Sequence, residues 1–185
     1  MNRNTERGTI MNYKIVADSS CNIISMENPH FASVPMKVRA ATEYIDDANL
    51  DLAQMVEELR NHKGTSGSAC PSVGEWLDAF GDADMVFGTT MSKGLSGSYN
   101  AALTAAEEYM EEHKGAKVHV FDSRETGPGM ALMIEKIREL KDKGMSFEEI
   151  RDAVIEYKKT TNLAFLLHSV NNLAKNGRVS MILAK

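Results

Sequence analysis

Apolar positions along this chain follow two rhythms. Short runs rich in β-branched residues read as buried strands: Tyr13 to Ala17 (YKIVA), Met85 to Phe87, Lys117 to Phe121 (KVHVF) and Leu163 to Leu167. Phe31 to Val38 is a further extended segment, broken by Pro35 as an edge or irregular strand would be, and Glu43 to Ile45 is a small third one. Between them the spacing turns helical. Leu52, Met55, Val56 and Leu59 share one face of a helix that ends at Arg60 and is capped by Asp51. A polar, glycine-bearing stretch from Asn61 to Ala69 separates it from a second helix, Val73 to Phe80, with Pro71 near its start.

A third helix opens near Ser98, with alanines, Leu103 and Tyr109 on its inner face. A fourth runs from Met130 to Lys143 with Leu132, Met133, Ile137 and Leu140 inward, and Gly144 stops it. Ser146 and Glu149 form a capping box for a helix over Phe147 to Lys158, and a short helix spans Val170 to Lys175. Strands alternating with helices predict an α/β fold: a parallel sheet covered on both sides, three layers α/β/α.

Composition narrows the function. The chain has 185 residues, 43% apolar and 25% charged, enough for one good-sized core. A net charge of -5, spread without a basic stripe, argues against a nucleic-acid partner, because phosphate contacts need clustered Lys and Arg. Cys21 and Cys70 lie far apart without metal-like spacing, so we expect reduced thiols in a cytoplasmic protein. The five histidines, His30, His62, His113, His119 and His168, show no ligand spacing either, and no metal or cofactor is expected. No apolar run reaches the length of a membrane span. The first ten residues lack the apolar centre of a signal peptide and read as a disordered leader, residues 1–10, with Met11 an alternative start.

The candidate chemistry lies at the strand ends. Asp18-Ser19-Ser20, Gly88-Thr89-Thr90, Asp122-Ser123 and His168-Ser169 each follow a strand at once, and in an open parallel sheet such positions share the edge where ligands settle. Any one of these hydroxyls is explained by capping alone; four together point to a polar pocket. The stretch Met85 to Ala105 is the richest. Its glycine and hydroxyl loop, with Ser92, Ser96 and Ser98, leads into a helix start, where backbone donors favour an anion. Gly94-Leu95-Ser96-Gly97-Ser98 does not fit a nucleophile elbow, and neither G-x-G-x-x-G nor the P-loop pattern occurs. Twelve methionines, among them Met91, Met130 and Met133 near these loops, suit either an apolar tunnel or ordinary core filling.

Five motifs in series carry a resemblance: Lys14 to Ser20, Ser68-Ala69-Cys70-Pro71-Ser72-Val73-Gly74-Glu75-Trp76, Ser92 to Tyr99 with its Leu-Ser-Gly-Ser core, Val118 to Ser123, and Leu173 to Ser180 ending in Gly-Arg-Val-Ser. In this order they resemble the DegV family of fatty-acid-binding proteins. The resemblance implies a long-chain fatty acid as ligand, no catalysis by this chain, and in some members a fatty acid kinase catalytic subunit as partner. Its Thr-Ser-x-Pro-Ser threonine falls on Ser68 and its Ser-Gly-Thr motif on Ser96, Gly97 and Ser98. The acyl carboxylate is therefore expected on Ser68, Ser96 and the Gly97 amide, with Thr65 a rival donor and Ser98 beside them. Ala69 and Cys70 replace a polar pair common in the family, and Asn176 stands where the first of two glycines usually lies, a left-handed turn that Asn tolerates.

Family members usually continue for about another hundred residues, roughly one more domain. The resemblance thus assigns residues 11–175 to one α/β domain and 176–185 to the beginning of a second. It implies a pocket open on one side and a tendency to form homo-oligomers. Two other classes stay open on the same loops: a phosphate-binding, kinase-related enzyme domain, and an interaction module.

Overall fold

The computed structural model describes residues 12–26, 30–164, 166–167 and 169–180. Four strands form a parallel sheet in the order β2-β1-β6-β7: β1 Tyr13–Asp18, β2 Phe31–Val34, β6 Met85–Thr90 and β7 Lys117–Asp122. Alternation at period two sends Ile15, Ala17 and Phe87 to one face and Val16, Val86 and Val120 to the other. Both faces are covered. Helices α2 (Val73–Phe80) and α3 (Ser98–Glu112) close the second face through Trp76, Phe80, Ala102, Ala105, Ala106 and Tyr109. Helices α4 (Pro128–Asp142) and α5 (Phe147–Lys158) close the first through Met130, Met133, Ile134, Ile137, Ile150 and Val154. Parallel strands buried on both sides need such near-continuous apolar runs, and the three expected layers are present.

A second sheet was not expected. Strands β3 (Lys37–Arg39), β4 (Glu43–Ile45) and β5 (Gly67–Ala69) pair antiparallel in the order β4-β3-β5. The segment Phe31 to Val38, read as one interrupted strand, is two strands in two sheets, divided at Pro35 and Met36. Proline offers no amide to a ladder, so pairing stops there. Ser19, in a single 3-10 turn after β1, fixes the junction: its hydroxyl donates to Asp46 at 2.6 Å and accepts from the Met36 amide at 3.0 Å. The polar stretch 61–69 likewise ends in β5, whose three small residues carry no strand signal of their own and become a strand by pairing with β3.

Helix α1 (Leu52–Asn61) is capped by Asp51, which accepts from the Gln54 amide at 2.9 Å, as expected. The capping box of Ser146 and Glu149 is in place, and Gly144 takes a positive φ of 76° behind α4. Helix α2 has the expected bounds with Pro71 ahead of it, and its cap is Ser72, in a second capping box with Glu75. Leu132 is not inward but 52% exposed, because the buried stripe of α4 is Met130, Met133, Ile134, Ile137 and Leu140. The expected strand Leu163 to Leu167 does not form among its described residues; Phe165 and His168 lie outside them. Helix α6 (Asn171–Lys175) follows, and the left-handed residue of its turn is Gly177 at φ 70°, not Asn176. The leader at residues 1–10 also lies outside the described residues.

Lys37 joins the small sheet to the start of α2, reaching both Glu75 carboxylate oxygens at 2.6 and 2.7 Å. Burial alone raises the Glu75 pKa, but Lys37 and the Ser72 amide and hydroxyl outweigh it and hold the carboxyl at about 2. A depressed carboxyl stabilises the fold above its unfolded pKa and loses that contribution as pH falls through the folded one. Glu75→Gln is therefore expected to lower unfolding free energy by about 1 kcal/mol at neutral pH, allowing for partial exposure to water. In urea melts the gap to wild type should close between about pH 5 and pH 2. The face assignment of α4 is checked the same way: Leu132→Gln should shift stability by less than about 0.5 kcal/mol, and Met133→Ala should cost about 2–5 kcal/mol.

Candidate ligand-binding site

Asp18 ends β1 with no solvent exposure. One carboxylate oxygen receives the Ser98 hydroxyl at 2.7 Å and the Met91 amide at 3.0 Å; the other receives the Ser20 hydroxyl. Burial pushes the Asp18 pKa up, against the pull of these donors. The carboxylate thus holds together the end of β1, the loop after β6 and the first turn of α3.

That loop, residues 91–98, has its backbone amides almost fully committed. Ser92 donates to the Glu125 carbonyl at 3.1 Å, and Leu95 and Ser96 to the Ser92 carbonyl at 2.9 and 3.1 Å. Lys93 donates to the Asp122 carboxylate at 3.1 Å, Gly94 to the Ser92 hydroxyl at 3.3 Å and Ser98 to the Ser96 hydroxyl at 3.2 Å. Gly97 is the exception: its amide has no partner among the described residues. Its φ of -73° and ψ of -3° suit any residue, so the glycine is not needed for backbone freedom. Room explains it. A Cβ at Gly97 would come within 3.2 Å of Cys70 Sγ, just past β5.

Between this loop and the small sheet lies a cavity of about 490 Å³, within the usual range of ligand pockets. Val38, Leu59, Met91, Leu95, Leu167 and Leu173 give it an apolar wall; Ser66, Ser68, Thr126, Ser169, Asn176 and Arg178 supply its polar groups. Of the five expected site residues, Ser68 lines the cavity, opposite Val38 in the ladder, with its hydroxyl uncommitted. Ser96 is not on the cavity wall but follows the lining Leu95, and its hydroxyl accepts a bond while its proton stays uncommitted. Gly97 is also off the cavity wall and lies against Cys70, two residues beyond Ser68. Thr65 is exposed and not on the cavity wall. Ser98 is fully buried with its proton on Asp18, so it stands behind the site rather than in it.

The expected convergence of strand-end hydroxyls is also different in kind. Ser19, Ser20 and Ser123 bond within the loops, and Thr90 donates to backbone carbonyls. These groups shape the edge; Ser169, from the fourth of the expected segments, does line the cavity and accepts from the Asn171 amide at 3.2 Å, and further uncommitted hydroxyls belong to Ser66 and Ser68 at β5 and to Ser96 in the loop after β6. Met91 reaches the cavity, whereas Met130 and Met133 are core. Both cysteines are free thiols, and burial pushes Cys21 up to about 11. His119 sits half-buried edge-on to Phe121 at 4.5 Å, with its pKa lowered by burial. Sequence reasoning missed the role of Asp18 as a hub and the share of Val38, Leu59 and Thr126 in the wall, residues that carry no motif. Among the described residues no group of three His, Cys, Asp or Glu could hold a metal, and no helix is long and apolar enough to cross a membrane.

Comparison with known proteins gives the site its context. Residues 12–184 match the family described as "Uncharacterised protein, DegV family". A DegV domain-containing protein of Streptococcus pneumoniae is 41% identical over 178 residues, which are 94% of this chain and 63% of the relative. The crystal structure of the Fatty Acid Kinase (Fak) B3 protein of S. pneumoniae, loaded with linoleic acid, superposes with a TM-score of 0.89 at 41% identity, covering 94% of this chain and 63% of that one. A DegV family protein from Eubacterium eligens loaded with heptadecanoic acid gives 0.88 at 43% identity, covering 93% and 63%. The chain spans 63% of the length of these relatives. With the family pattern running from Asn12 to the penultimate residue and the fold shared at this level, the chain belongs to the DegV family.

Proposed function

We propose that this chain binds a long-chain fatty acid, gripping the carboxylate with the Gly97 amide and the Ser68 and Ser96 hydroxyls while the apolar wall of the cavity takes the adjoining part of the tail. The observation that carries the reading is the amide count of the loop after β6: every N–H from residue 91 to 98 is committed except that of Gly97. A carboxylate leaving water costs several kcal/mol unless donors meet its lone pairs. Charge-assisted bonds of about 1.5–3 kcal/mol each offset much of this. Each buried methylene adds about 0.8 kcal/mol. Residues 11–175 act in this reading as one α/β unit.

The chain binds and presents its ligand rather than transforming it: the proposed contacts are neutral donors and hydrocarbon. The names of the two fatty-acid-loaded relatives support the ligand class, and that of the S. pneumoniae protein supports a fatty acid kinase catalytic subunit as partner. Cys21 and Cys70 stand as free cysteines rather than a disulfide, which supports a reducing, cytoplasmic setting.

Calorimetric titration of the protein with linoleate tests the reading. Saturable binding is expected, weakened by about 1–3 kcal/mol in Ser68→Ala and in Ser96→Ala; a wild-type protein that takes up no linoleate, or variants that bind as tightly, would remove the assignment. Gly97→Ala forces its methyl against Cys70 Sγ, so it should weaken binding by about 1–3 kcal/mol. Removing that sulfur in Gly97→Ala/Cys70→Ala should recover part of the loss in the same titration.

A further inference from the structure

Ser98 is read from the sequence as a ligand contact, but its hydroxyl is sealed from water and donates to Asp18 at 2.7 Å. The same carboxylate oxygen takes the Met91 amide at 3.0 Å. Met91 and Ser98 are the two ends of the loop whose one uncommitted amide belongs to Gly97. One buried oxygen therefore clamps both ends of an eight-residue segment, and Gly97 is the residue directly before the clamped Ser98. From these bonds the geometry points to Asp18, acting through Ser98, as the positioning pair of the head-group site: the clamp fixes the direction of the Gly97 N–H without touching the ligand.

Other bonds flank Gly97 as well. Its carbonyl is used by the Ala101 amide as the first helical bond of α3, which fixes the peptide after it but not the rotation of the peptide before it. That preceding peptide, between Ser96 and Gly97, carries the amide in question. It is set on one side by the Ser96 amide on the Ser92 carbonyl and on the other by Ser98, whose amide donates to the Ser96 hydroxyl at 3.2 Å and whose own hydroxyl ties it to Asp18. Take away the Ser98 hydroxyl and the helix start is released from β1, while the apolar packing of α3 through Ala102, Ala105 and Tyr109 stays. The buried charge itself is destabilising in isolation. Its donors come from three separate segments, so what the carboxylate specifies is the position of the loop.

This inference rests on the reading of Gly97 as a head-group donor, but its test has a readout that does not need the lipid. In ¹⁵N-labelled protein without lipid, Ser98→Ala is expected to move the Gly97 amide resonance while the signals of Val86 and Val120 in the sheet stay put. With linoleate the same variant should bind about tenfold more weakly, and Ser98→Thr, which keeps the hydroxyl, should restore both the resonance and the affinity. A Gly97 resonance and an affinity unchanged in Ser98→Ala, or a change that Ser98→Thr fails to restore, would overturn the proposal. If wild-type protein took up no linoleate, the functional reading would fall, yet the lipid-free resonance would still decide whether the clamp orients Gly97.

Discussion

A carboxylate shut away from water has to be met by hydrogen-bond donors, and at Asp18 they arrive from three places in the chain. Ser20 comes from the turn after β1, Met91 from the end of β6 and Ser98 from the start of α3. The parallel sheet brings these strand ends to one edge, and the buried charge fixes how the loops cross it. Ser19, the neighbouring residue, does the corresponding work for the antiparallel sheet through Asp46 and Met36. Two adjacent side chains thus set the floor and the roof of the cavity. That economy follows from topology: the end of a central strand is within reach of everything that leaves the same edge.

Much of this was legible in the amino-acid sequence. The strand and helix rhythms of Tyr13 to Ala17, Val118 to Phe121 and Met133 to Leu140 reflect burial on both sides of a parallel sheet, a strong and local signal. Ser146 and Glu149 announced a helix start by chemistry alone. The small sheet was hidden because β3, β4 and β5 are three residues each, too short for a period to show, and β5 reads Gly-Ser-Ala. Its existence is a matter of pairing partners far apart in the chain. Leu132 illustrates the reverse error: an apolar residue beside a stripe is not in it, and only the packing of α4 shows on which side the stripe ends.

The site was partly visible for a related reason. Residue types told where hydroxyls and glycines gather, and among the described residues Ser68, Ser96 and Gly97 each keep an uncommitted donor, as Thr65, Ser66 and Ser169 also do. Types cannot tell which hydroxyls are already in use. Ser98 and Ser96 are two positions apart and chemically alike, yet one proton is taken by Asp18 and the other is free. Nor could the sequence show that Gly97 is small on account of Cys70, since the contact joins segments separated by a whole helix and strand.

The donors proposed for the head group are an amide and two hydroxyls, none of which gains or loses a proton near neutrality. A grip of that kind carries no titration of its own. Acidity then acts through the ionisation of the guest and, behind the loop, through Asp18, whose carboxyl burial holds above the usual range.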